Sequence, residues 1–81
     1  MTKEEVFQIV KRNVMAVLPA LPPGTITLDK HLKELGANSI DRMEIITATL
    51  EDLGLKMPLV ELGEIKGIEG LVTFLYEKKC Q

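Results

Sequence analysis

The chain has 81 residues, 46% of them hydrophobic and 27% charged, with a formal net charge of −2. That length sets a single domain over residues 1–81, too small for both a deep catalytic cleft and the scaffold to hold one. With no Trp, one Tyr, two Phe and a slight acidic excess, the composition excludes the stacking platforms and basic surfaces of nucleic-acid binders.

The opening residues, Met1 to Glu5, are polar and acidic, unlike a signal peptide, and no apolar run reaches membrane-spanning length. The one cysteine, Cys80, makes neither an internal disulfide nor a metal cluster. These features together predict a cytoplasmic protein with no membrane partner and no metal.

Thr2 and Glu5 have capping-box spacing, a Thr followed three residues later by Glu. Val6, Phe7, Val10, Val14, Val17 and Leu18 then fall on one side of a helical spiral. Pro19 ends this first helix, and Pro22-Pro23-Gly24 prevents its continuation. Residues 19 to 38 form a long connection. Within it Leu28, Leu32 and Leu35 are spaced as on a short helical turn, which predicts that they pin the loop across the molecule.

A second helix is predicted from Ser39 to Leu53, introduced by Gly36-Ala37-Asn38 and stopped by Gly54 and Pro58. Ile40, Met43, Ile46, Leu50 and Leu53 span one broad apolar arc, which leaves Ile45 outside. Leu59, Leu62 and Ile65 suggest a short helix over residues 59–66, weakened by Gly63. A last helix starts near Ile68, with Leu71, Val72 and Leu75 in register. Glu69 at its start and Lys78 and Lys79 in its last turn suit the helix dipole. No β-alternation is visible, so the predicted fold is all-α. It is a small bundle of three main helices plus one or two short ones, with a long loop between the first and second.

Charge is unevenly spread. From Asn38 to Glu64 there are six acids, Asp41, Glu44, Glu51, Asp52, Glu61 and Glu64, against two bases, Arg42 and Lys56. The rest of the chain carries six acids and eight bases. The bland reading of the acidic stretch is a solvated surface.

Chemistry concentrates in Leu35-Gly36-Ala37-Asn38-Ser39-Ile40-Asp41-Arg42. If Ser39 capped the second helix, Arg42 would stand at its third position, against the positive end of the dipole. If Asn38 caps, Asp41 stands there instead, which is favourable. Asn38 is therefore the better cap, and Ser39 becomes the first helical residue with a free hydroxyl. A helix start suits a phosphodiester, since its unpaired N–H groups and dipole both attract negative charge. By itself, a serine there is most simply a cap.

Leu35-Gly36-Ala37-Asn38-Ser39-Ile40 resembles the phosphopantetheine attachment motif of acyl carrier proteins, usually Leu-Gly-Ala/Gly-Asp-Ser-Leu. The first helix, long loop, Ser-led second helix, Pro58 and closing helix follow the family's order over nearly the whole chain. The resemblance implies that Ser39 receives 4′-phosphopantetheine from coenzyme A, through a separate Mg²⁺-dependent phosphopantetheinyl transferase. The arm's thiol then holds acyl groups as thioesters, and the protein is a carrier, not an enzyme. The sequence agrees, for His31 is its only histidine and no nucleophile–base pairing or Gly-x-Ser-x-Gly is present.

By the same resemblance the second helix is what partners read, among them an acyltransferase and a ketosynthase or HMG-CoA-synthase-like enzyme. Asp41, Glu44, Glu51 and Asp52 would face basic patches, and Ile40 and Met43 would make apolar contact beside Arg42. For Ile40 and Met43 the competing expectation is core packing. Two residues depart from the usual pattern: Asn38 replaces Asp, and Arg42 puts a positive charge where a neutral residue is commoner. With them, Gly-Ala-Asn-Ser-Ile-Asp-Arg resembles free-standing carriers of bacterial polyketide pathways that present acetyl units, derived from malonyl, for β-branching. A carrier for fatty-acid synthesis or amino-acyl loading, and an unmodified helical interaction module, are the alternatives. A monomer is expected.

Overall fold

The computed structural model describes residues 1–58, 62 and 67–80. Three helices form, α1 over Lys3–Val17, α2 over Ser39–Leu53 and α3 over Ile68–Lys79, with a 3-10 turn over Pro23–Thr25 in the long connection. Among the described residues the β-pairing is a single antiparallel bridge, His31 with Gly67. The suggested helix over residues 59–66 lies outside the described residues, apart from Leu62, which is buried.

Local chemistry explains the helix ends. At the start of α1 the Thr2 hydroxyl accepts from the Glu5 N–H, and the Glu5 carboxylate accepts from the Thr2 N–H at 2.8 Å. The chain leaves α1 at Val17, one residue before Leu18-Pro19. The end of α2 is a Schellman motif. Gly54 takes φ +69°, its N–H reaches Glu51 O, and the Leu55 N–H reaches back to Leu50 O. Lys79 on α3 adds a further donor, its Nζ lying 2.8 Å from Leu53 O. A last-turn lysine here serves the C-terminal end of a neighbouring helix.

α1 packs against both α2 and α3. Its buried stripe is Val6, Val10, Asn13 and Val14, and α3 contributes Ile68, Leu71, Val72 and Leu75. From α2 the buried residues are Ile45, Thr49, Leu50 and Leu53. The expected apolar arc of α2 is thus corrected. Ile45 is fully buried, whereas Ile40 and Met43 are 68% and 55% exposed. Ile40 and Ile45 are five residues apart and point about 140° away from each other around the helix. The side that meets α1 is the one carrying Ile45 and Thr49, so Ile40 faces solvent. An arc drawn through apolar residues alone passes over Thr49, which is buried as completely as Ile45.

The long connection is anchored by Ile26, Leu32 and Ala37, all buried, with Leu35 half-buried. The expected role of Leu28 is corrected as well: it is exposed, while its backbone carbonyl accepts the N–H of Glu69. Residues 31–37 make one hydrogen-bonded turn. It closes as a second Schellman motif, with Gly36 N–H on Lys33 O, Ala37 N–H on Leu32 O, and Gly36 at φ +96°. The buried pair Leu32 and Ala37 supplies the apolar contact that accompanies such a motif. This turn delivers the chain to Asn38 at a fixed angle, and so sets where α2 begins.

Candidate functional site at the start of the second helix

Asn38 is the cap of α2. Its Oδ1 accepts the Asp41 N–H at 2.8 Å, and Asp41 Oδ2 accepts the Asn38 N–H at 3.2 Å. The cap is therefore filled without Ser39, which occupies the first helical position and is exposed. Ser39 Oγ accepts one hydrogen bond, from Arg42 Nη2 at 3.2 Å. Residues three apart on a helix are neighbours, which places that guanidinium beside the hydroxyl. Arg42 Nε is buried and without a hydrogen-bond partner among the described residues.

The side chains expected to meet partners separate into three groups. Ile40, Met43, Glu44 and Glu51 share the outer face of α2, where with Thr47 and Ala48 they line a shallow groove. Asp41 is committed to the capping box. Asp52 lies on the flank nearest α1, where its Oδ2 accepts from Arg12 Nη2 at 2.9 Å and Asn13 Nδ2 at 3.1 Å. The Asn13 amide, and then the Arg12 guanidinium, hold the Asp52 carboxyl below its ordinary pKa. Thr47 and Ala48 were not singled out from sequence. The signal that places them is their spacing from Ile40, Met43, Glu44 and Glu51 at helical intervals.

His31 lies in the connection, opposite Gly67, with its N–H donating to Glu34 Oε1. Among the described residues no group of His, Cys, Asp or Glu is arranged to hold a metal, and no helix is long and apolar enough to cross a membrane. An exposed hydroxyl at a helix start, next to a guanidinium with no carboxylate in ion-pair distance among those residues, suits a phosphodiester.

Comparison with known proteins agrees with that chemistry. The family model described as "Phosphopantetheine attachment site" matches residues 8–75. The polyketide biosynthesis acyl-carrier-protein AcpK of Bacillus subtilis (strain 168) is 45% identical over 78 residues, covering 96% of this chain and 95% of the relative. Acyl carrier proteins of Petrotoga mobilis and Campylobacter hominis are 32% and 31% identical, covering 96% and 88% of this chain and 92% and 90% of the relatives. The chain belongs to the acyl carrier protein family. It is a carrier whose cofactor is 4′-phosphopantetheine, and not an enzyme. Among these relatives the AcpK of Bacillus subtilis combines the higher identity with near-complete coverage of both chains.

Proposed function

We propose that this chain carries acyl groups as thioesters on a phosphopantetheine arm esterified to Ser39, in a bacterial polyketide pathway. The observation that carries the assignment is the division of labour at the start of α2. Asn38 and Asp41 satisfy the cap between them, which leaves the Ser39 hydroxyl exposed for modification. In the modification, Ser39 Oγ attacks the phosphorus of coenzyme A that bears the pantetheine. A new Oγ–P bond forms, the pyrophosphate bond breaks, and adenosine 3′,5′-bisphosphate leaves. The serine proton passes to a base of the transferase, which the carrier itself does not supply. The arm provides the thiol that holds the acyl group; the protein places that thiol at successive enzymes and raises its local concentration there.

The polyketide assignment rests on the likeness to AcpK over nearly the whole chain, together with Asn38 and Arg42 at the attachment motif. In this reading the partners are a phosphopantetheinyl transferase, an acyltransferase, and a ketosynthase or HMG-CoA-synthase-like enzyme that receives an acetyl unit. The carrier works as a monomer in the cytoplasm, and Ile40, Met43, Glu44 and Glu51 form the face that these enzymes contact.

The first test is incubation with coenzyme A, Mg²⁺ and a broad-specificity phosphopantetheinyl transferase, followed by intact and peptide mass spectrometry. One phosphopantetheine is expected, on the peptide containing Ser39, and none on Ser39→Ala. No added mass, or modification of the alanine variant, removes the assignment. Acetyl-loaded carrier is then offered to an HMG-CoA-synthase-like enzyme and to a fatty-acid ketosynthase. Equal acceptance by both removes the pathway.

A further inference from the structure

The geometry points to Arg42 as the positioning residue of the attachment site: its guanidinium orients the free Ser39 hydroxyl and, once that oxygen is esterified, pairs with the phosphodiester. This rests on the reading of Ser39 as the modified residue. Three observations carry it. Arg42 Nη2 already donates to Ser39 Oγ, at 3.2 Å. Arg42 Nε–H, on the same guanidinium, is shielded from water and unpaired among the described residues. Among those residues the one ion pair is Arg12 with Asp52, so none of their carboxylates is paired with Arg42.

Arginine carries a fixed charge and presents its N–H groups as a planar fork that matches phosphate oxygens. The phosphorus of the arm is one bond beyond Oγ. Its two non-bridging oxygens therefore arrive beside a guanidinium that already touches Oγ. Modification gives Arg42 an anionic partner next to Oγ, where among the described residues it has none. The base of the arm is then held against the first turn of α2, and the swinging part begins beyond the phosphate.

The test follows Arg42 and the phosphorus by nuclear magnetic resonance, using ¹⁵N-labelled full-length protein before and after conversion with coenzyme A and a transferase. Mass spectra of the same samples verify the modification. On conversion the Arg42 Nε–H resonance is expected to shift, reporting the new partner of its guanidinium. In modified Arg42→Gln the ³¹P resonance should move to the position seen in a modified peptide spanning Ser39. Arg42→Lys, which keeps the charge without the fork, should fall between the two, and it replaces Gln if that variant fails to fold. A verified modified protein whose Arg42 resonance does not change, or whose ³¹P shift is the same in Gln and parent, overturns the pairing. Absence of the added mass instead overturns the assignment of Ser39.

Discussion

Asn13 Nδ2 lies 3.0 Å from Thr49 Oγ1 in the seam between α1 and α2, and both residues are buried. The two N–H groups of that amide are both used, one on Thr49 and the other on Asp52 Oδ2. Thr49 in turn donates its hydroxyl proton to Ile45 O at 2.7 Å. A chain of hydrogen bonds thus crosses the interface and fixes how α2 is rotated against α1. Removing one member leaves another buried and unpaired, at a typical loss of about 1–3 kcal/mol. Thr49→Val and Asn13→Ala are each expected to lower stability by that order in urea unfolding. The double variant should lose less than the sum, because the two deletions remove the same contact.

Asp52 makes this seam pH-sensitive. Its pKa is held below the ordinary 3.8 in the folded protein, first by Asn13 and then by Arg12. The unfolded chain therefore binds a proton on Asp52 more readily than the folded one, and stability rises with pH across that window. The contribution is complete above about pH 5, and it is lost as pH falls through 3.8 towards the lower folded value. Unfolding midpoints of the parent and Asp52→Asn, compared from pH 7 to pH 3, should converge at the acid end. A constant gap would show that the carboxylate charge is not what stabilises.

Ile45 and Ile40 are the same residue type on opposite sides of α2, and they should respond oppositely. Ile45→Ala opens a cavity in the core and is expected to lower stability by about 2–5 kcal/mol. Ile40 is 68% exposed, so Ile40→Ala should change stability by no more than about 0.5 kcal/mol. It should instead weaken association with a partner enzyme, as read by surface plasmon resonance.

Charge reversal distinguishes the acids of α2. Glu44→Lys and Glu51→Lys, on the outer face, should slow association with a basic partner, more strongly at low salt, with little change in thermal midpoint. Asp52→Lys should lower the thermal midpoint, since it sets a second cation against Arg12. Stopped-flow association rates beside thermal melts separate the two effects.

Gly36 and Gly24 offer another contrast. A Cβ at either would meet nothing within 4 Å, yet Gly36 stands at φ +96° and Gly24 at no such angle. Gly36→Ala is expected to cost about 1–2 kcal/mol through backbone strain. Gly24→Ala should be neutral or raise stability by about 0.4–1 kcal/mol by restricting the unfolded chain. Gly36→Ala should also slow modification of Ser39, because the strained turn is the one that aims Asn38 and the start of α2.

The parts of this structure legible in the sequence are those fixed by residues close together along the chain. Thr2 with Glu5 and Asn38 with Asp41 form capping boxes within four residues, and Gly54 ends α2 through bonds to Leu50 and Glu51. The bounds of α2 and the freedom of the Ser39 hydroxyl follow from such local pairs. What was hidden depends on partners far along the chain. Asn13 and Asp52 are 39 residues apart, and nothing at either position marks the other. Ile40 and Met43 look like core residues because periodicity registers apolar character and not the direction of burial. Only the packing of α1 against Ile45 and Thr49 decides which side of a helix with apolar residues on more than one side faces inward.

The first turn of α3 has no side-chain cap at Gly67; its leading N–H groups, on Ile68 and Glu69, donate to Lys30 O and Leu28 O of the long connection. A helix whose first donors are satisfied only by a distant loop cannot keep its end when that loop lifts. Loop opening and unravelling of α3 are therefore coupled into one cooperative event. The same loop runs on through the Leu32–Ala37 turn into Asn38, so one strap holds the beginning of two helices. A proteolytic nick between Lys30 and Leu32 would loosen α3 and the Ser39 end of α2 together, although these belong to different parts of the sequence.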